Sequence, residues 1–388
     1  MTSADRWLLP DGIEEVLPPQ ARRIEQLRRR LLDLLDNWGY DLVIPPALEY
    51  LDSLLTGVGK DLDLRTFKVI DQLSGRLMGL SADTTPQVAR IDAHSLAPEG
   101  TSRLAYCRTV FHAKAGSLLA SRTPTQIGAE IYGEAGQSAD VEIISLMLAL
   151  MEAAGMDQAH LDLGNVGVFR VLAEKAGLGK DQQAELSDLL KLKCASDLEA
   201  WVAREVKQTQ LAEAFVLLTR LQGDYKLLGA AIARMIELVP ETAAELQHIQ
   251  QVAERVSARF PQVPMYFDLT ELRGYNYHTG LLFAVYVPGY GDPIAQGGRY
   301  DETGAVFGRA RPATGFSADL KVLARFGTFL TEEKQTIVAP DADDEALWAE
   351  ISALRAAGKR VVIAADQDAV QADLYLKKQD GQWQLVEA

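Results

Sequence analysis

The sequence has 388 residues, 39 Lys and Arg against 54 Asp and Glu, and a formal net charge of −15. That length accommodates two or three domains of about 100–200 residues each, and a composition 48% hydrophobic and 24% charged excludes the collagenous, disordered and disulfide-scaffold classes. The acidic balance weighs against an extended phosphate-binding surface, since nucleic-acid affinity is built from Lys and Arg that neutralise phosphates. Cys107 and Cys194 belong to no CxxC pair and suggest neither a disulfide framework nor a zinc site. No basic region with a long apolar run opens the chain. The most apolar stretch, Ile143 to Met151, falls short of the roughly 18 residues of a membrane span, so a cytoplasmic protein without a membrane partner is expected.

Pro18 and Pro19 precede a run in which Ile24, Leu27, Leu31, Leu34, Leu35 and Trp38 recur at helical spacing, until Gly39 stops it. Arg22, Arg23, Arg28, Arg29 and Arg30 fall on the other side and read as a solvated face. Tyr40 to Ile44 alternates and ends at Pro45 and Pro46, as a strand reaching a sheet edge or subunit boundary does. Thr66 to Ile70 and Leu77 to Leu80 flank a turn-forming stretch and predict a β-hairpin. Strands are expected at Leu104 to Phe111 and Gln126 to Tyr132, then a helix from Asp140 to Ala154 stopped by Gly155.

From Val168 to Arg259 apolar residues fall at three- and four-residue spacing and strand signals vanish, which predicts an all-helical insert. Strand character returns with Met265 to Leu269 and Gly280 to Val287. From Thr336 a β-α-β unit follows, with Val361 to Ala365 as its second strand and a possible final strand. The expected organisation is a core in two parts, 1–167 and 261–330, interrupted by the insert at 168–260 and followed by a small C-terminal domain at 331–388.

The five histidines show no metal-ligand spacing, and Gly57-Val58-Gly59-Lys60 lacks the first glycine and the Ser/Thr of a phosphate loop. Neither a metal nor a cofactor is expected. Gln126-Ile127-Gly128-Ala129-Glu130 instead puts two polar side chains on one strand face with a glycine between them. Arg273-Gly274-Tyr275-Asn276-Tyr277-His278-Thr279-Gly280 adds a cation, aromatics and an imidazole, and Ala295 to Asp301 adds a glycine-rich stretch. A solvated sheet edge with ordinary turns would fit these patterns. So would a pocket for an amino-acid zwitterion, with carboxylates for the ammonium and an Arg for the carboxylate.

Over residues 1–330 these segments resemble, in order, the catalytic core of class II histidyl-tRNA synthetases. Trp38 to Glu49 is similar to the first class II motif at the dimer interface, Leu80 to Arg90 to the segment that holds the ligand's amino group, and Gln126 to Glu130 to the strand after motif two. Arg273 to Gly280 and Gly297 to Asp301 are similar to two signatures of the histidine-specific enzymes. The resemblance implies an α+β fold, an antiparallel sheet flanked by helices. It also implies a histidine site in which Asp83, Thr85 and Gln126 bind the ammonium, Glu130 accepts the imidazole N–H, Arg273 faces the carboxylate, and Tyr277 and His278 complete the pocket. Asp83 stands for a longer Glu, and His278 for a Tyr.

The sequence departs from those enzymes where they grip ATP. His112 follows Phe111 in place of an arginine, Lys114 stands where a glutamate is expected, and Lys321-Val322 replaces the Glu-Arg of the third motif. Such chemistry is mainly electrostatic positioning, so losing two phosphate-contacting arginines should cost several powers of ten in rate. The tail after Leu330 is too short for an anticodon-binding domain. A histidine pocket without ATP machinery resembles the regulatory subunits of short-form ATP phosphoribosyltransferases. That resemblance implies a non-catalytic subunit that self-associates as a dimer in a hetero-oligomer, partners a separate catalytic subunit, takes histidine as an allosteric ligand and binds no tRNA. The alternatives are a divergent histidine-activating ligase without its tRNA domain, and a stand-alone histidine-binding module.

Overall fold

The computed structural model describes residues 7–56, 60–116, 120–272, 274–275, 277–331, 333–367 and 370–388. The chain divides into two compact units, Met1–Phe329 and Leu330–Ala388. Arg273, assigned above to the ligand carboxylate, and the Gly57–Gly59 stretch lie outside the described residues.

The first unit opens with α1 (Gln20–Asn37), whose Leu27, Leu31 and Leu35 are buried. Arg23, placed by spacing on a solvated face, instead donates to the carbonyls of Ala324 (2.9 Å) and Gly327 (2.6 Å) and lies over the Phe329 ring. Its partners are some 300 positions away in the chain, so helical periodicity carries no sign of them. Then come β1 (Asp41–Leu42), β2 (Leu48–Tyr50), α2 (Leu51–Leu54), α3 (Lys60–Arg65), β3 (Phe67–Ile70) and β4 (Leu77–Leu80). β3 and β4 form the expected hairpin, extended by β2 into a three-stranded sheet. α4 (Thr85–Arg90) runs into a π-helical turn at Ile91–Leu96, followed by β5 (Ser102–Thr109), β6 (Thr125–Tyr132), α5 (Gln137–Ala153) and β7 (His160–Asn165).

The expected insert comprises α6 (Val166–Lys175), α7 (Lys180–Leu192), α8 (Ala195–Glu205), α9 (Thr209–Leu218), β8 (Gln222–Asp224), α10 (Gly229–Leu238) and α11 (Ala243–Arg259). β8 corrects the all-helical reading: these three residues pair with β9 (Met265–Asp268) at the sheet edge, and Gly223, at φ +128, supplies no strand propensity to read. β10 (Leu281–Tyr286), β11 (Ala295–Arg299), β12 (Ala313–Asp319) and α12 (Leu320–Phe326) complete the unit.

The main sheet has nine strands in the order β1-β5-β6-β12-β11-β10-β7-β9-β8, antiparallel through its centre, with parallel pairs β1–β5 and β7–β9 toward its edges. Its register sorts the side chains. Ala105, Ala129, Phe316, Phe283 and Leu163 line one face and belong to the main hydrophobic core, with α1, α5 and α11. The other face carries Tyr106, Gly128, Ser317, Gln296, Ala284 and Asp162 in one row, and Leu104, Glu130, Gly315, Gly298, Leu282 and Gly164 in the next. A row so poor in large apolar groups leaves a groove on the sheet.

The second unit is a four-stranded sheet, β14-β13-β15-β16, built from β13 (Thr336–Pro340), α13 (Glu345–Ala356), β14 (Arg360–Ala364), β15 (Leu374–Gln379) and β16 (Gln382–Glu387). Asp344 caps α13 through the N–H groups of Ala346 and Leu347, and Leu347, Ile351, Ile337 and Leu376 form a core of their own. Among the described residues no helix is long and apolar enough to cross a membrane.

Candidate functional site

The groove deepens into a cavity of about 700 Å³, lined among others by Asp83, Thr85, Glu130, Tyr277, His278 and Tyr300. Glu130 is buried at its wall, 1% exposed. Tyr106 on β5 donates to its Oε1 (3.1 Å), and Tyr300, just beyond β11, donates to its Oε2. Gly315, directly opposite on β12, makes the seat possible, because a Cβ there would overlap the Glu130 carboxylate. Burial is the main force on this carboxyl and pushes its pKa up to about 8. The Tyr300, Thr85 and Tyr106 hydroxyls pull the other way, and Asp83 adds to the rise. The ligand-free site thus holds a carboxyl poised to lose a proton near neutrality.

The aromatic wall is continuous. The rings of Tyr277 and Tyr300 stack at 5.1 Å, Tyr132 meets Tyr300 edge-on at 6.3 Å, and Tyr277 meets His278 edge-on at 5.2 Å. Burial pushes the His278 imidazole down to about 4, so it is neutral at physiological pH. A neutral, partly aromatic chamber with a carboxyl at its base suits a flat ring that offers an N–H.

At the other end of this half, the loop before α4 turns Asp83 toward β6. Gln126 Nε2 donates to Asp83 Oδ1 (3.2 Å), and its Oε1 accepts from the Thr84 N–H (2.9 Å). Asp83 Oδ1 also accepts from the Thr85 N–H (3.2 Å), while the Thr85 hydroxyl meets Tyr106 at 3.2 Å. Six of the seven sequence-predicted residues, Asp83, Thr85, Gln126, Glu130, Tyr277 and His278, are thereby brought together, with Gln126 holding Asp83 in place. Sequence reasoning gave no role to Tyr106, Tyr300, Gly315 or Arg65. Tyr106 shares a face of β5 with Leu104, but only the register to β6 shows that it lies opposite Gly128.

The region where the resemblance puts a nucleotide is knit to itself. His112 is 8% exposed, with Nε2 3.0 Å from the Ala82 carbonyl and its ring nitrogens 3.0 and 3.2 Å from Arg65 Nη2. Burial, and then the Arg65 charge, lower the pKa of this imidazole. Val322 packs against the main core. Asp319 Oδ1 accepts from the N–H groups of Lys321 (3.0 Å) and Thr125 (3.2 Å), and burial raises its pKa. Lys321 Nζ lies 3.4 Å from Thr123 Oγ1 and 3.6 Å from Glu14. Arg122 donates from Nε to the His112 carbonyl and from Nη1 to that of Asp11, both at 3.0 Å. The cations here serve intramolecular acceptors.

Residues 12–323 match the family described as Histidyl-tRNA synthetase, and residues 334–386 match the ATP phosphoribosyltransferase subunit HisZ C-terminal domain. The chain is 52% identical to the ATP phosphoribosyltransferase regulatory subunit of Pseudomonas fluorescens (strain Pf0-1), over 99% of each chain. It is 49% identical to that of Cellvibrio japonicus (strain Ueda107), over 100% of this chain and 98% of the relative. Among solved structures, an ATP phosphoribosyltransferase regulatory subunit/histidyl-tRNA synthetase from Bacillus halodurans C superposes with a TM-score of 0.80 at 27% identity, covering 95% of this chain and 97% of that one. Histidyl-tRNA synthetase from Nostoc sp. PCC 7120 gives 0.78 at 18% identity, over 98% and 97%, and shares the fold.

Proposed function

Because the chain belongs to the family of ATP phosphoribosyltransferase regulatory subunits, we propose that its sheet cavity binds histidine and that occupancy of the cavity sets the activity of a separate catalytic chain. The observation that carries this reading is the asymmetry of the groove: a buried carboxyl caged by tyrosines on one side, and on the other the former nucleotide region bonded to its own neighbours. The imidazole N–H of histidine donates to Glu130, and its ammonium meets Asp83 and Thr85. Arg273 faces the carboxylate by resemblance. Regulation then is a coupling free energy: histidine binds one arrangement of the complex more tightly than another, by about 1–3 kcal/mol for a 5–150-fold effect.

The chain works as a dimer within a hetero-oligomer in the cytoplasm and takes no tRNA. Self-association is supported by β1, a sheet-edge strand whose Leu42 is half-exposed and which runs into Ile44, 83% exposed. The ligase alternative needs guanidinium groups on nucleotide phosphates. His112, buried, and Val322, an apolar side chain packed against the core, speak against it.

The test is an ATP phosphoribosyltransferase assay of the catalytic chain with and without this subunit, titrated with histidine. Activity that depends on this chain and falls with histidine supports the reading. Histidine-dependent ATP–pyrophosphate exchange by this chain alone would instead establish the ligase.

A further inference from the structure

Arg65 has no place in the site as the sequence presents it. It ends α3, its side chain is exposed, and it lines the same cavity as Asp83 and Thr85. Its Nη2 lies 3.0 Å from His112 Nε2 and 3.2 Å from Nδ1, and His112 Nε2 in turn lies 3.0 Å from the carbonyl of Ala82, the residue before Asp83. The pattern fits the tautomer in which Nε2–H donates to Ala82 and Nδ1 accepts from the guanidinium. The backbone fixes the same juncture, since the Ala113 N–H donates to the Arg65 carbonyl at 2.8 Å. Among the described residues, Arg65 forms no ion pair with a carboxylate.

A guanidinium that lines a cavity, is propped on an imidazole and has no anionic partner among the described residues is arranged for an anion from outside the chain. The α-ammonium and α-carboxylate of an amino acid leave one carbon, so a cation that lines the cavity near the ammonium-binding carboxylate falls where the carboxylate lies. We propose that Arg65, held by His112, is a specificity-determining residue that binds the ligand's α-carboxylate at the mouth of the cavity. This rests on the histidine reading and extends it. His112, which by resemblance stands where the synthetases place a phosphate-gripping arginine, becomes the prop for a cation recruited from the end of α3. The site then requires the whole zwitterion and rejects an imidazole that bears only an amine.

Calorimetric titration of the full chain with histidine and with histamine, which lacks the carboxylate, tests this. The wild type should bind histidine more tightly than histamine. Arg65→Gln should weaken histidine about tenfold, the scale of one charge-assisted contact at a partly exposed site, and leave histamine unchanged. Arg65→Lys should fall between them. Arg65 is exposed, so the variants should melt with the wild type. An unchanged histidine-to-histamine ratio in Arg65→Gln overturns the role of Arg65 and leaves the histidine reading standing. A wild type that binds neither probe overturns the histidine reading and this extension together.

Discussion

The two halves of the groove share a sheet, and their polar groups have opposite fates. Around Glu130 and Asp83 the side chains are arranged about a cavity, with a carboxyl whose pKa burial raises and an aromatic wall beside it. Around His112 and Asp319 the polar groups are bonded to neighbouring backbone, and the apolar replacement, Val322, packs partly buried against the core. The polar groups of both halves have intramolecular partners, but Glu130 and Asp83 also line the cavity and so stay open to a ligand. On the reading proposed above, one half of a synthetase fold keeps recognition, while the residues that replace the nucleotide-gripping groups in the other half are bonded to their own neighbours.

The largest expected effect is at the seat of Glu130. Gly315→Ala should displace the carboxylate and weaken histidine binding on the order of 100-fold, the loss of a buried charge-assisted contact, with helix content by circular dichroism unchanged. Near-native affinity would show that Glu130 is not where the ligand donates.

On the other side, Val322→Arg restores the side chain that the synthetases use, but forces a charge against core residues. It should lower stability by about 1–3 kcal/mol in denaturant unfolding and give no ATP–pyrophosphate exchange. A stable variant that exchanges would mean that the nucleotide half is intact and merely short of one cation.

A smaller effect separates the halves by pH. Glu130 must be ionised to accept the imidazole N–H, and its pKa in the ligand-free fold is about 8. Histidine affinity should therefore rise about fivefold from pH 7 to pH 8, as the ionised fraction does. It should level off above that, and Glu130→Gln should not show the rise. The ligand-free fold should move the other way. A carboxyl whose folded pKa is raised contributes stability that is full below its unfolded value and is lost as pH rises through about 8, so melting temperature should fall over that window less in Glu130→Gln than in wild type.

What could be read from the sequence follows the range of the interactions. The alternation of Gln126 and Glu130 about Gly128, the β3–β4 hairpin and the helix that Gly155 stops are local, and the structure has all three. The Glu130 cage is not local: Tyr106 and Tyr300 come from other strands, and register decides which face each one joins. Arg23 escaped for the same reason, its acceptors lying in and just after α12. The last hairpin went unread beyond one possible final strand, although its Asp380-Gly381 dipeptide is a turn signal and both residues have positive φ between β15 and β16.

The most direct test of the binding site is the histidine inhibition curve of the catalytic chain assembled with wild-type subunit or with Glu130→Gln. The variant complex should stay active and need at least about tenfold more histidine for half-inhibition, as expected when a neutral amide replaces an ionised acceptor. Superimposable curves would contradict the placing of histidine against Glu130.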